Sequence, residues 1–253
     1  MRKILLGLLV LSGTAHAETL HYTVYATGLP AVSVVMTLDT TPDGYRIGFS
    51  THTLGIVDVM AGVRLQSEAA GVWAADGSGR DAQPAHYEAH GRSDGVDRDT
   101  VIDYPDGDPV VRTLLPANDE AREPIPAALQ ARTEDGISAV AGLLHHVERT
   151  GRCDGAVRTF DGRRLSDTAI RTAGIEEVLP TSRSVFSGPA LRCDFTGRLL
   201  AGFKVSENRA RAARPVQGSI WLARVDGALV PVRLTFETRL FGDAVAYLSP
   251  PNG

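Results

Sequence analysis

Strict alternation of apolar and polar side chains marks the first part of the chain. Residues 20–26, 32–38 and 45–51 each repeat with period two. Successive side chains of a β-strand point to opposite faces, so each segment predicts a strand with one apolar face. The segments Gly-Leu-Pro at 28–30 and Thr-Pro-Asp-Gly at 41–44 separate them and predict antiparallel hairpins.

Strand patterns continue, with interruptions, along the rest of the chain. Further strand-like segments lie at 64–73, 85–90 and 98–104. Residues 54–63 are apolar and fit either a short helix or an irregular crossover. Asp-Gly pairs at 161–162 and 226–227 predict two-residue hairpins. Pro231 cannot donate a ladder hydrogen bond, so it predicts a sheet edge or a bulge.

One segment has helical periodicity instead. Its apolar residues recur at helical spacing and are Ile137, Val140, Ala141, Leu144 and Val147. Asp135 is placed to cap the start of a helix and Gly151 to end it. We expect a helix near 135–149, preceded by an extended, proline-containing link at 115–126. A lone amphipathic helix is marginal in water, so this one must pack on a sheet.

Antiparallel hairpins on both sides of one helix predict a mostly β or α+β fold. A curved antiparallel sheet, an open half-barrel that partly wraps one or two helices, is an economical way to bury both apolar faces. We expect residues 18–253 to form a single β-rich domain, with the helix between two strand-rich halves.

The N-terminus has a different character. Basic residues at 2–3 precede a short apolar run at 4–11 and a small-residue segment that ends at Ala17. These are the three parts of a secretory signal peptide, and the run is far below the roughly 20 residues that cross a bilayer. The alternative is a buried first helix. We expect cleavage after Ala17 and a soluble periplasmic protein that does not span the membrane and has no lipoprotein cysteine.

The cysteines and the net charge limit which bonds and which binding partners we expect. Cys153 and Cys193 are an even count, which favours a disulfide in an oxidising compartment. Two separate buried thiols are the alternative, and a metal site is less favoured because no Cys-x-x-Cys spacing exists. The formal net charge of −4 at pH 7 gives no general field for polyanions, so we expect no nucleic-acid partner.

Few motifs in the sequence carry chemistry. His86 and His90 are four residues apart on a predicted strand, which separates them by roughly 13 Å, too far to share one metal ion. His145 and His146 are adjacent on the helix and point about 100° apart. No Gly-x-Ser-x-Gly elbow, phosphate-binding loop or dinucleotide fingerprint is present. We therefore expect no catalytic residue, cofactor or metal and lean against an enzyme, although a triad assembled in space stays open.

One group of basic residues stands out in the second half. Its members are Arg198, Lys204, Arg209, Arg211 and Arg214. Only Glu207 opposes them within that stretch. The group is either a solvated basic loop or a contact for an anionic headgroup, a glycan or a partner.

Three stretches of the second half carry a family resemblance. They are Asp-Gly-Ile-Ser-Ala-Val at 135–140, Ser-Gly-Pro-Ala-Leu-Arg-Cys at 187–193, and Ile-Trp-Leu at 220–222 with Leu-Val-Pro-Val-Arg at 229–233. They resemble the helix start, the cysteine strand and the closing Trp hairpin of the bacterial envelope family called domain of unknown function 3108. The resemblance implies a periplasmic, mostly β protein in which Cys193 pairs with Cys153. By fold analogy it is similar to open half-barrels that carry lipoproteins or other apolar ligands.

A curved sheet covered by one helix leaves apolar surface on its inner side, which is a natural binding site. Our leading hypothesis is a non-enzymatic periplasmic protein that binds or carries a lipid, an acyl chain or an envelope partner. Tyr22 and Trp221 are the predicted contacts, and Arg233 is the predicted polar anchor. The alternatives are an envelope hydrolase that acts on a glycan or an ester, and a scaffold that binds another protein through a strand edge.

Overall fold

The computed structural model describes residues 17–75, 81–117, 121–238 and 242–251. The predicted signal peptide lies outside the described residues, except for Ala17, at which the first strand begins. None of the helices in the described ranges is long and apolar enough to cross a membrane.

Strands dominate the described part of the chain, as the alternating pattern predicts. The strands are β1 (Ala17–Ala26), β2 (Leu29–Thr40), β3 (Gly44–Thr53), β4 (Val63–Trp73), β5 (Ala82–Ser93), β6 (Val96–Asp103), β7 (Val110–Leu115), β8 (Gly155–Phe160), β9 (Leu165–Val178), β10 (Gly188–Ala201), β11 (Val216–Val225), β12 (Ala228–Thr238) and β13 (Gly242–Ser249). The helices are α1 (Gly55–Met60), α2 (Ala127–Gln130), α3 (Gly136–Thr150) and α4 (Arg209–Ala212).

The strands form one antiparallel sheet in the order β7-β6-β5-β4-β3-β2-β1-β13-β12-β11-β10-β9-β8. Each strand pairs with its neighbour in sequence, and the pairing of β1 with β13 joins the two meanders. The two end strands, β7 and β8, do not pair with each other, so the sheet is not closed. This confirms the predicted open antiparallel sheet.

The helix α3 lies against one face of this sheet, which we call the inner face. It contacts β3, β4 and β5 from one meander and β8 and β12 from the other. A single helix reaches strands so far apart in the sheet order because the sheet curves around it. The predicted ends of the helix are confirmed: the Asp135 carboxylate accepts from the backbone N–H groups of Ile137 and Ser138, and Gly151 closes the helix with φ +69°.

Side chains fill the gap between the two ends of the sheet. Ile102 and Tyr104, at the end of β6, pack with Phe160 and Leu165 from β8 and β9 in a second buried cluster. Glu134, just before α3, adds a bridge along the outer edge of β8. The open sheet is therefore braced where no strand pairing closes it.

One of the two Asp-Gly hairpin predictions is wrong. The pair at 226–227 forms the expected two-residue connection, and both of its residues have positive φ. The pair at 161–162 does not, because β8 and β9 are joined by the four residues 161–164. The Asp161 carboxylate accepts hydrogen bonds from two backbone N–H groups inside the turn, which stabilises the longer connection.

Three other segments can be compared with their sequence-based predictions. The undecided stretch at 54–63 contains the short helix α1. Pro231 lies at a register shift in the β11–β12 pairing, which confirms the predicted bulge. β7 was not predicted because its sequence, Val-Val-Arg-Thr-Leu-Leu, does not alternate.

Cys153 and Cys193 form a disulfide with a Cα–Cα distance of 6.1 Å. Both residues are almost fully buried, at 1% and 0% exposure. Cys153 follows the end of α3, and Cys193 lies in β10. The bond therefore ties the inner helix to the second meander.

Candidate functional site

The three predicted ligand contacts divide between the two faces of the sheet. Tyr22 points to the inner face and belongs to the main core cluster. Its hydroxyl donates to the Pro231 carbonyl at 2.9 Å, and burial raises its pKa above the ordinary range. In this structure Tyr22 is a core residue, not a surface that a ligand reaches.

Trp221 and Arg233 lie on the opposite face, which we call the outer face. They are directly paired across β11 and β12, and Arg233 is also paired with Tyr247 of β13. Tyr247 precedes Leu248, which pairs with Tyr22, and adjacent residues of a strand point to opposite faces. The prediction that Trp221 and Arg233 line the concavity around α3 is therefore corrected: they line a different surface.

A row of cations and aromatic rings crosses the outer face. The Arg233 guanidinium lies 4.7 Å from the centroid of the Trp221 ring and 5.8 Å from that of Tyr247. Arg192 of β10 lies 5.4 Å from the Trp221 ring on the other side. Such cation–aromatic contacts are attractive and bury the ring under long polar side chains.

This row borders a shallow depression of about 720 Å³ across β9–β13. We call it the outer trough. The polar side chains that matter for its chemistry are Arg171, Arg192, Asp194, Ser219 and Arg233. Asp194 accepts from Ser219 at 2.7 Å and from Arg192 at 2.8 Å, and these hydrogen bonds, that from Ser219 above all, lower its pKa. The trough combines charged side chains with apolar ones, so it is not the purely apolar site that the sequence led us to expect.

A second depression, of about 430 Å³, lies between α3, the β2–β3 turn and the β11–β12 turn. We call it the inner cleft. Its apolar lining is Leu38, Trp73, Ala141, Leu144, Ala228 and Leu229. Its volume falls within the range of small-molecule sites, which are concave and mostly apolar.

An aromatic stack forms one wall of the inner cleft. The Trp73 and His145 rings are parallel, with centroids 4.0 Å apart and an interplanar angle of 4°. The Trp73 indole N–H donates to the Thr41 carbonyl at 2.8 Å, which fixes the orientation of the ring. Burial, reinforced by the nearby charge of Arg149, lowers the pKa of His145. The imidazole is therefore uncharged at neutral pH and adds to the apolar wall.

The rim of the inner cleft carries one ion pair, between Arg224 of β11 and Glu148 of α3. Arg224 also donates to the Gly227 carbonyl at 2.8 Å. Both side chains are about half exposed, so this pair is worth little as a stabilising contact. It does place a cation beside an apolar wall, which suits a ligand with an apolar body and an anionic head.

A third cleft, of about 700 Å³, lies on the other side of α3. His146 points there and shares a hydrogen bond with Asp81, with Nδ1 and Oδ1 3.0 Å apart. His145 and His146 thus face different clefts, as their helical positions predict. Among the described residues, the partner of the His146 ring is the Asp81 carboxylate, and no hydroxyl or thiol is hydrogen-bonded to the ring.

The strand histidines lie among acidic side chains of β5 and β6. His86 Nδ1 lies 2.8 Å from Asp103 Oδ1, and His90 Nδ1 lies 2.9 Å from Asp99 Oδ1. Their Nε2 atoms approach the same oxygen of Glu88, at 3.6 and 3.3 Å. Within the described ranges, no group of three or more such side chains is arranged to hold a metal ion.

The predicted basic group is partly paired with acids. Arg209 contacts Glu123 at 2.6 Å and lies 4.5 Å from the centroid of the Phe203 ring, while Arg198 lies 3.9 Å from Asp167. Arg211 and Arg214 are exposed. Pairing of this kind favours the interpretation as a solvated surface over that of a concentrated anion-binding patch.

Sequence reasoning missed the inner cleft because its residues come from separate segments. Leu38, Trp73, Leu144 and Leu229 lie on β2, β4, α3 and β12. Only one signal pointed there: His145 on the cleft side of an otherwise apolar helical stripe. Register and curvature, which bring the segments together, are not encoded in any one of them.

The fold defines a class of mostly β proteins in which an open antiparallel sheet curves around one helix. The chain belongs to the family described as protein of unknown function DUF3108, whose model matches residues 21–249. A solved structure from Brucella abortus, described as a beta-barrel-like protein of domain of unknown function DUF1849, is 14% identical with a TM-score of 0.46. The alignment covers 92% of this chain and 94% of that chain. No curated protein matches the chain.

Proposed function

We propose that this protein is an exported, non-enzymatic binding protein that holds an apolar or amphiphilic ligand, such as an acyl chain, in the inner cleft. Two features support export to the periplasm: the tripartite N-terminus and the buried disulfide between Cys153 and Cys193. The single observation that carries the binding proposal is the inner cleft itself.

The chemistry of the cleft suits a chain-like ligand. Apolar side chains from the sheet and from α3 form its walls, and Trp73 adds a large flat surface. Each buried methylene of a ligand contributes about 0.8 kcal/mol, so a chain of several carbons gains affinity without any specific polar contact. Arg224 at the rim can donate hydrogen bonds to a terminal carboxylate if Glu148 moves aside.

A fatty-acid titration tests the proposal. We expect dodecanoate, below its micellar concentration, to shift the fluorescence of delipidated protein saturably, because the chain displaces water from Trp73. Acetate at the same concentration should have no such effect, because it carries the head without the chain. A dodecanoate response that does not saturate, or that acetate reproduces, would contradict the proposal.

A charge placed in the cleft provides the matched variant. Leu229→Glu puts a carboxylate on the wall, opposite Arg224 in the β11–β12 pairing, and should weaken dodecanoate binding by about tenfold or more, since it removes apolar lining, competes for Arg224 and repels the ligand's carboxylate. Leu179→Glu is the control, because Leu179 is 73% exposed and does not line the cleft. Equal binding by the two variants would remove the inner cleft as the site.

Export is tested separately. In a Gram-negative host, we expect the chain to be recovered from the periplasmic fraction with Glu18 as its first residue. Native mass spectrometry of the same material shows any retained lipid directly as added mass. Recovery in the cytoplasm with Met1 intact would refute export and leave the cleft titration unaffected.

A further inference from the structure

Arg233, in the outer trough, has no acidic partner among the residues that the structure describes. Its neighbour Arg192 is paired with both Glu176 and Asp194. Arg233 lies over two aromatic rings, those of Trp221 and Tyr247, and its buried Nε atom has no hydrogen-bond partner in the described part of the chain. Buried donors are nearly always paired, so this vacant donor calls for an acceptor.

A second vacant donor lies beside the first. Trp221 is only 5% exposed, and its indole Nε1 has no hydrogen-bond partner among the described residues. Trp221 and Arg233 face each other across paired strands. The two residues line one depression, and each has a buried N–H group without a partner among the described residues.

The charges along the trough are separated. Arg192 and Arg233 lie at one end, and Arg171 lies midway along the trough, opposite Asp194, which is already engaged by Ser219 and Arg192. The other acids of the lining are Glu237 and Asp243, which lie opposite each other on β12 and β13. Glu237 is four residues along β12 from Arg233, or roughly 13 Å away. Because Arg192 is already paired with two acids, Arg233 is the arginine at this end without an acidic partner among the described residues.

We propose that the outer trough is an anion-binding site in which Arg233, stacked on Trp221, donates hydrogen bonds to the oxygens of a phosphate or carboxylate group. Ring stacking holds the guanidinium plane, and the terminal N–H groups of a guanidinium are a planar fork of donors that matches such oxygens well. The site lies on the outer face, away from the inner cleft, and does not rest on the proposed function.

The protein supplies its own control arginine. Arg183 lies 4.4 Å from the centroid of the Tyr25 ring and donates to the Gly28 carbonyl at 3.0 Å. It stacks on an aromatic ring as Arg233 does, but it has a hydrogen-bond acceptor and does not line the trough. Replacing Arg183 therefore removes a stacked arginine without removing the proposed anion site, so the two effects can be measured separately.

The two tryptophans provide the readout. The chain contains only Trp73 and Trp221, one at each depression, so a ¹⁵N-labelled sample gives two indole N–H signals. We expect inorganic phosphate, titrated at constant ionic strength with chloride, to shift the Trp221 signal saturably and to leave the Trp73 signal in place. Arg233→Gln should weaken this binding by about tenfold or more, whereas Arg183→Gln should bind phosphate as the wild type does.

A conservative variant keeps the test valid if Arg233→Gln folds poorly. Arg233→Lys retains the charge and loses the fork, so it should bind phosphate with an affinity between those of wild type and Arg233→Gln. A Trp221 signal that ignores phosphate, or that responds equally in wild type and both Arg233 variants, would overturn the site. Either result leaves the dodecanoate titration at Trp73 untouched.

A second arm separates the source of the anion. Vesicles of phosphatidylglycerol in phosphatidylcholine present the phosphate as a lipid headgroup, and pure phosphatidylcholine vesicles are the control. Co-sedimentation with the former that is lost in Arg233→Gln and kept in Arg183→Gln assigns the headgroup as the ligand. A phosphate-dependent shift without co-sedimentation assigns a free anion. The absence of both responses refutes the proposal.

Discussion

The two tryptophans of this protein lie in opposite chemical environments. Trp73, at the inner cleft, donates its indole N–H to a backbone carbonyl and stacks on the uncharged ring of His145. Trp221, on the outer face, is more deeply buried, yet its neighbours are the guanidinium groups of Arg192 and Arg233 and its indole N–H is unsatisfied among the described residues.

The difference shows that burial of an aromatic ring does not by itself identify an apolar site. On the inner face, α3 supplies apolar side chains, and the depression beside Trp73 is apolar as a result. On the outer face, Trp221 is buried by the long side chains of arginines, which cover its ring and keep their charge. One face is therefore suited to a chain-like ligand and the other to an anionic group.

The largest effect is expected from the bond that ties the two regions together. The disulfide joins the end of α3 to β10, next to Arg192 and Asp194 of the outer trough. Replacing Cys153 and Cys193 with alanine frees a loop with a sequence separation of 40 and should lower the free energy of unfolding by about 4 kcal/mol. Urea denaturation of the oxidised wild type and the double variant measures the difference.

Reduction of the wild type is the matched control for that comparison. Dithiothreitol should reproduce the loss in the wild type and leave the double variant unchanged. If the double variant unfolds at the same urea concentration as the oxidised wild type, the disulfide does not stabilise the fold and the inner and outer regions are held together by packing alone.

The strands and the main helix were accessible to sequence reasoning because their signals are local. Period-two alternation identified β1–β3, and Asp135 with Gly151 marked the ends of α3 within one residue. β7 has no alternation, and the turn at 161–164 is set by one side chain that bonds its own backbone. Such features become visible only once the neighbouring strand or the turn is in place.

The polar side chains of β11 gave one sequence signal for the face of Trp221. Gln217 and Ser219 share its face, because successive side chains of a strand alternate, and both line the outer trough. Residues 219–223 are all buried, so burial alone does not distinguish the two faces. The register with Arg233 and Tyr247 assigns Trp221 to the outer face.

A smaller effect is expected from the N-terminal cap of α3. The buried Asp135 carboxylate accepts from two backbone N–H groups and from the Ser138 hydroxyl. Asp135→Ala leaves these donors unsatisfied and should lower the free energy of unfolding by roughly 1–3 kcal/mol. Because α3 lines the inner cleft and contributes no residue to the outer trough, the Trp73 indole signal should move while that of Trp221 stays in place.

Asp135→Asn is the matched control, because its amide oxygen still accepts a backbone hydrogen bond, and it should lose less stability than Asp135→Ala. Urea denaturation and the two indole signals check both expectations. A variant that moves only the Trp221 signal would contradict the assignment of Trp73 to the cleft beside α3.

The smallest expected effect is on the pH dependence of stability, to which His86 and His145 contribute differently. The hydrogen bond with Asp103 raises the pKa of His86 above 6.5, so its contribution to stability is present below pH 6.5 and is lost as the pH rises through the folded value. Burial lowers the pKa of His145 below 6.5, so the folded state resists its protonation and stability falls as the pH drops from 6.5 toward that value. The two side chains therefore act in opposite directions.

His86→Asn should destabilise the protein more at about pH 5.5 than at about pH 8.5. His145→Phe keeps a stacked ring on Trp73 and should relieve part of the loss of stability at about pH 5.5. Histidine-ring NMR titration gives both pKa values, and a value for His145 at or above that of His86 would show that the wall of the inner cleft is not the dry, uncharged surface that an apolar ligand requires.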